Sequence, residues 1–229
     1  MMRGAWLIFS AALIVSACGG EPTRTAAGAN EPDEVNIDLW LERLEVGSRE
    51  LYSSREAVVE ALSLKPGDRV ADIGAGTGLY TLLFAERVGD EGHVFAIDIE
   101  PLFLDLINRR AEDASLTNIS AVLGRDDSIT LPPGSLDVVF IADTYHYFSD
   151  REAIMTSVAT ALKPGGRLFI VDYELSTQND APAGREHVAF GKAGVMSEVQ
   201  SLGLEGLGAT EIEGLAENYF IGFAKPDTP

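Results

Sequence analysis

The sequence predicts an α/β fold, a doubly wound and mostly parallel sheet with helices on both faces. Three observations predict it: strand and helix patterns alternate along the chain, two strand segments are apolar throughout, and a glycine-rich turn joins the first strand to its helix. Alternation of this kind forces right-handed crossovers, which stack helices against a parallel sheet. Val138-Val139-Phe140-Ile141 and Leu168-Phe169-Ile170-Val171 lack the polar alternation of a half-exposed strand, so each is expected to be buried on both sides.

Leu39 to Leu64 carries apolar residues at helical spacing, among them Leu51, Val58 and Leu62, and stops at Lys65-Pro66-Gly67. A helical lead-in is expected there, since proline and glycine end helices. Arg69 to Ile73 predicts the first strand, and Leu79 to Val88 the helix after it, with Leu79, Leu82, Leu83 and Val88 on one face. His93 to Asp98 then reads as strand, Leu102 to Ala114 as helix, Ile119 to Leu123 and Leu136 to Ala142 as strands, and Arg151 to Leu162 as helix. Lys163-Pro164-Gly165-Gly166 predicts a turn into a strand over Arg167 to Asp172. Beyond it, Ser176 to Arg185 is polar and loop-like, Val188 to Leu202 is helical in pattern, and Tyr219 to Ala224 reads as a last strand paired with Thr210 to Glu213.

At 229 residues and 46% hydrophobic composition, the chain is long enough for one well-buried domain. Acidic residues number 36 against 17 basic ones, and the resulting charge of −19 repels phosphate polymers, so nucleic acid is not an expected partner. Cys18 is the single cysteine, which excludes an intramolecular disulfide and a cysteine-based metal cluster, and no metal ligands are assigned. Arg3, the apolar run Trp6 to Val15 and the ending Val15-Ser16-Ala17-Cys18 resemble a bacterial lipoprotein signal with its lipobox. The expected division is therefore a signal peptide over 1–18, a flexible tether over 19–38 and one domain over 39–229. Membrane contact is expected only through a lipid on Cys18. That anchor would place the domain in the cell envelope facing the periplasm, and an unused signal would leave it cytoplasmic.

Asp72-Ile73-Gly74-Ala75-Gly76-Thr77-Gly78 lies where a strand hands over to a helix, the place where open parallel sheets bind ligands. Glycine lets the backbone approach a ligand closely, and the following helix offers free N–H groups to an anionic group. A dinucleotide fingerprint would need glycine at position 79, which is Leu79, and a phosphate-binding Walker loop would need a lysine that Thr77-Gly78-Leu79 lacks.

The run Val70 to Gly78 resembles the first motif of class I S-adenosylmethionine-dependent methyltransferases, and further landmarks follow in that family's order. Asp98 closes the second strand, Asp126-Asp127 follow the third, Leu131 to Asp137 leads into the fourth, and Leu162 to Leu168 leads into the fifth. The resemblance covers about Leu51 to Asp172 and implies a Rossmann-like sheet of seven strands. It also implies S-adenosylmethionine as cofactor and a small-molecule methyl acceptor. By the same resemblance Asp72, Gly74, Ala75, Gly76 and Gly78 bind its amino-acid end, Asp98 its ribose and Asp126 or Asp127 its adenine, with Ile99 also at the cofactor.

Methyl transfer depends on in-line positioning and exclusion of water, so a dedicated base is optional. If one acts, it is sought in Asp143-Thr144-Tyr145-His146-Tyr147-Phe148, just past the fourth strand, where His146, Asp143 and Tyr145 are the candidate catalytic residues. Tyr147 and Phe148 are candidates to line an apolar acceptor pocket, and Arg49 and Tyr52 to cover the cofactor. Two other readings stay open, an NAD-dependent oxidoreductase built on the same sheet and a membrane-tethered ligand-binding protein without turnover.

Overall fold

The computed structural model describes residues 36–174 and 191–227. The expected signal peptide, Cys18 and nearly all of the expected tether lie outside the described residues, as do Ser176 to Arg185 and the first residues of the expected helix at Val188.

Seven strands form one sheet in the order β3-β2-β1-β4-β5-β7-β6. They are β1 (Arg69–Ile73), β2 (His93–Asp98), β3 (Ile119–Leu123), β4 (Leu136–Ala142), β5 (Leu162–Tyr173), β6 (Glu205–Ala209) and β7 (Asn218–Ala224). Neighbouring strands from β3 to β5 run parallel, and β7 runs antiparallel to both β5 and β6. The sequence is thus a Rossmann-like α/β fold, with its switch point between β1 and β4.

Alternate side chains of each strand feed two cores. Val70, Val94, Val138, Phe140, Phe169 and Val171 face one side, where they pack on α3 (Arg55–Ala61) and α4 (Leu79–Val88). Ala71, Ile73, Ile97, Val139, Ile141 and Ile170 face the other, against α6 (Arg151–Ala161) and α7 (Lys192–Ser201). Burial on both faces explains why β4 and β5 read as unbroken apolar runs. Helix α5 (Pro101–Asp113) begins with proline at its first position, and the side chain of Glu100 accepts from Leu102 N at 3.0 Å to cap it.

Three expectations need correction. The single lead-in helix is α1 (Ile37–Leu44), α2 (Glu50–Ser53) and α3, interrupted by the turn through Val46-Gly47-Ser48 and by Ser54, which is not helical. The segment 163–166 is not a free turn. Register slips there, with Leu162 opposite Leu136 and Arg167 opposite Val138, and the extra residues bulge out while Gly165 N donates to Lys225 O at 2.9 Å. The partner of β7 is β6, not 210–213. Gly206 and Gly208 hide that strand in the sequence, because glycine is disfavoured in strands. Only Thr210 N reaches across to Phe220 O, at 3.0 Å, before the chain turns at Ile212 to Leu215.

Candidate functional site

The glycine turn is bonded to the end of β2. Gly74 N and Ala75 N both donate to Ile97 O, at 2.8 and 3.1 Å, and Gly76 N donates to Asp98 Oδ2 at 2.9 Å. Gly74 has φ +70, and a Cβ there would lie 2.3 Å from both Cγ2 and Oγ1 of Thr144. The turn and the loop after β4 are therefore in contact at the switch point. Gly78 has another task. It caps α4 in the left-handed region with its missing side chain turned to Ile107, and it is not part of the cavity wall.

A cavity of about 460 Å³ opens beside the turn, within the range of small-molecule sites. Its floor includes Asp72 to Thr77; Trp40 and Leu44 from α1 close one side, and the loops after β2, β3 and β4 the others. Trp40 meets Phe103 edge to face, with centroids 5.8 Å apart. Helix α1 is held down by Glu45, paired with Arg110, whose guanidinium also donates to Thr77 O at 2.8 Å. The expected helical lead-in includes most of this roof, but neither Trp40 nor Leu44 stood out in the sequence, because α1 buries no residue of its own.

Of the two neighbouring acids after β3, Asp126 lines the cavity, whereas Asp127 turns to solvent and pairs with Arg125 at 3.2 Å. Asp98 lines it too, nearly buried at 9% exposure, with Oδ1 accepting from Glu100 N at 2.9 Å. Each Asp98 oxygen so engaged keeps a further lone pair for another donor. Burial raises its carboxyl above the ordinary range, against the pull of the bonds from Glu100 and Gly76. Ile99, beside it, is exposed at the mouth.

Asp72 is buried and accepts from Thr81 Oγ1 at 2.6 Å. Burial, with the Asp98 charge adding to it, pushes its carboxyl up from 3.8 to about 7 despite the Thr81 bond. Between those values the unfolded chain gives up this proton while the folded one keeps it, so folding stability falls as pH rises. At about 1.4 kcal/mol per pH unit, the ligand-free protein should lose about 4 kcal/mol from this group between pH 4 and 7. Asp72→Asn removes the titration but keeps an acceptor for Thr81. Urea unfolding at pH 5 and pH 8 should therefore show the variant gaining on the parent at the higher pH, and an unchanged difference would contradict the burial argument.

The three catalytic candidates part company. Asp143 lines the cavity, itself at φ +51, with Oδ2 accepting from Arg49 Nη2 at 2.7 Å and from the Tyr173 hydroxyl at 3.4 Å. Tyr145 is buried in the opposite core, where its hydroxyl donates to Glu198 at 2.8 Å, so it does not reach the cavity. His146 is also off the wall. Its ring is 3% exposed, with Nδ1 2.7 Å from Oδ1 of an equally buried Asp172. Tyr147 and Phe148 do line the cavity, as does Arg49, whereas Tyr52 stacks under Arg55 outside it. Asp172 escaped the sequence reading as a site residue, although a carboxylate directly after the apolar run Phe169-Ile170-Val171 was the available signal.

Residues 70–166 match the family described as methyltransferase domain. The chain is 31% identical over 116 residues to the ubiquinone/menaquinone biosynthesis C-methyltransferase of Vibrio campbellii, covering 50% of this chain and 45% of that protein. It is 30% identical over 148 residues to the enzyme of the same name from Teredinibacter turnerae, covering 64% and 59%. The chain thus spans about half the length of the curated relatives it matches. Among solved structures, a SAM-dependent methyltransferase from Aquifex aeolicus superposes with a TM-score of 0.69 at 24% identity, covering 83% of this chain and 98% of that one.

Proposed function

We propose that the protein is an S-adenosylmethionine-dependent methyltransferase acting on a small-molecule acceptor. The observation that carries the reading is the cavity at the switch point, walled on one side by the glycine turn and on the others by Asp98 and Asp126. The fit is chemical as well as spatial. Asp98 offers lone pairs suited to a diol, Asp126 stands farther along the same wall, and Trp40, Leu44 and Phe103 give an apolar cover suited to a flat base. The match of residues 70–166 to the methyltransferase domain supports the same reading.

When bound, S-adenosylmethionine supplies an electrophilic methyl group on a sulfonium. The chain's own residues orient and enclose. Arg49 ties the segment after α1 to the loop after β4, donating to Leu44 O at 3.2 Å and to Asp143 at 2.7 Å. Tyr147, Phe148 and Ile154 present apolar surface on the β4 side of the cavity, which suits an apolar or aromatic acceptor. The similarity to quinone C-methyltransferases supports an acceptor of that character. Deprotonation by His146 is not required by the reading, since its ring stands behind the wall.

Calorimetric titration of the purified chain tests the proposal. Saturable binding of one equivalent of S-adenosylmethionine or S-adenosylhomocysteine, with no binding of NADH, is the expected result. Absence of heat at millimolar ligand, or preference for NADH, would overturn it.

A further inference from the structure

We propose that Asp143, His146 and Asp172 form a binding site for a first-row divalent metal ion at the edge of the cleft. The inference does not depend on the methyltransferase reading. Strands β4 and β5 are parallel neighbours in a register that sets Ala142 opposite Val171, so the next residue of each, Asp143 and Asp172, end side by side. Asp143 N donates to Val171 O at 2.9 Å, which holds that register past the last strand residue. The tight turn Tyr145–Tyr147 then folds back and brings His146 over both. One ligand atom from each of the three lies within 4.8 Å of the other two.

Burial makes the grouping more than a surface cluster. The side chains of His146 and Asp172 are each 3% exposed and that of Asp143 is 15% exposed. Two carboxylates placed so close disfavour each other's charge unless a cation lies between them. Arg49 answers one oxygen of Asp143, its Oδ2. The other oxygen, Oδ1, is buried without a hydrogen-bond partner among the described residues. An unanswered buried carboxylate oxygen beside an imidazole and a second carboxylate is what a metal ion would satisfy.

The donor set narrows the ion. Calcium and magnesium prefer oxygen ligands alone, whereas one imidazole with two carboxylates suits manganese, iron, cobalt or zinc. Three protein ligands also leave coordination positions open, as in sites where a metal polarises a bound oxygen. Asp143 belongs to the cleft wall, so a metal held there would stand next to whatever occupies the cleft. The sequence concealed the set because its members are spread from position 143 to 172 without a recognisable ligand spacing.

The test uses the full chain without a histidine tag, stripped with a chelator and titrated with Co²⁺ by visible absorption and with Zn²⁺ and Mn²⁺ by calorimetry. One saturable equivalent is expected. His146→Gln and Asp172→Asn should each weaken it by at least about 10-fold, and Asp143→Asn by a similar factor. Glu60→Gln, on the exposed side of α3, should leave it unchanged. Asp143 is the least buried of the three, so its variant carries the test if circular dichroism shows that either of the others fails to fold. No saturable binding at millimolar metal would overturn the site and leave His146 and Asp172 as a closed hydrogen-bonded pair. Binding that survives all three substitutions would also overturn it, placing the metal elsewhere on the acidic surface.

Discussion

Gly74→Ala is expected to abolish ligand binding in the cleft and to cost about 2 to 5 kcal/mol of folding stability. Two effects add. The residue has φ +70, where a side chain is strained, and the new Cβ would sit 2.3 Å from Cγ2 and Oγ1 of Thr144 and 2.8 Å from its Cβ. Thr144 cannot simply swing away, since its hydroxyl donates to Ala142 O at 2.8 Å and its backbone belongs to the loop that borders the cavity. Something in the wall must move. Urea unfolding and ligand titration of the single variant measure both losses. The double variant with Thr144→Gly separates them, because it removes all three contacts and leaves the backbone strain. Partial recovery of stability is expected, and a single variant as stable as the parent would contradict the close approach.

Asp98→Ala is expected to weaken S-adenosylmethionine binding by about 10- to 150-fold, the equivalent of about 1.5 to 3 kcal/mol for hydrogen bonds to a charged group. The carboxylate does two things in the structure. It accepts from Gly76 N at 2.9 Å and so shapes the glycine turn, and it stands on the cavity wall with lone pairs to spare. Asp98→Asn keeps one carbonyl acceptor, so a smaller loss is expected from it than from alanine. Equal affinity in parent and alanine variant, measured by calorimetry, would remove Asp98 from the site.

The parts of the fold that were legible in the sequence are those where one periodicity dominates. Strand β4 and the core of β5 stand out because both faces are buried, and α4 follows its glycine turn with no competing pattern. Strand β6 was not legible, since Gly206 and Gly208 carry no strand preference and pairing with β7 alone makes it a strand. The site divides in the same way. Asp72, Gly74 and Asp98 sit at strand ends, where sequence position fixes spatial position, and all three line the cavity. Asp126 and Asp127 sit on a loop, and only the folded chain shows which of them turns inward. His146 was singled out for its chemistry and for its place just past β4. Its partner Asp172 lies 26 residues away on the next strand, a relation that needs the register of β4 against β5.

The cleft between the glycine turn, Asp98 and the α1 roof is proposed to hold an adenosyl ligand. A crystal structure grown with S-adenosylhomocysteine would locate that ligand. The amino-acid end is expected against Gly74 to Gly76, the ribose hydroxyls on Asp98 and the adenine on the Asp126 side. Ligand bound elsewhere, or a cleft closed by Trp40 and Leu44 packed onto the turn with no ligand between, would contradict it.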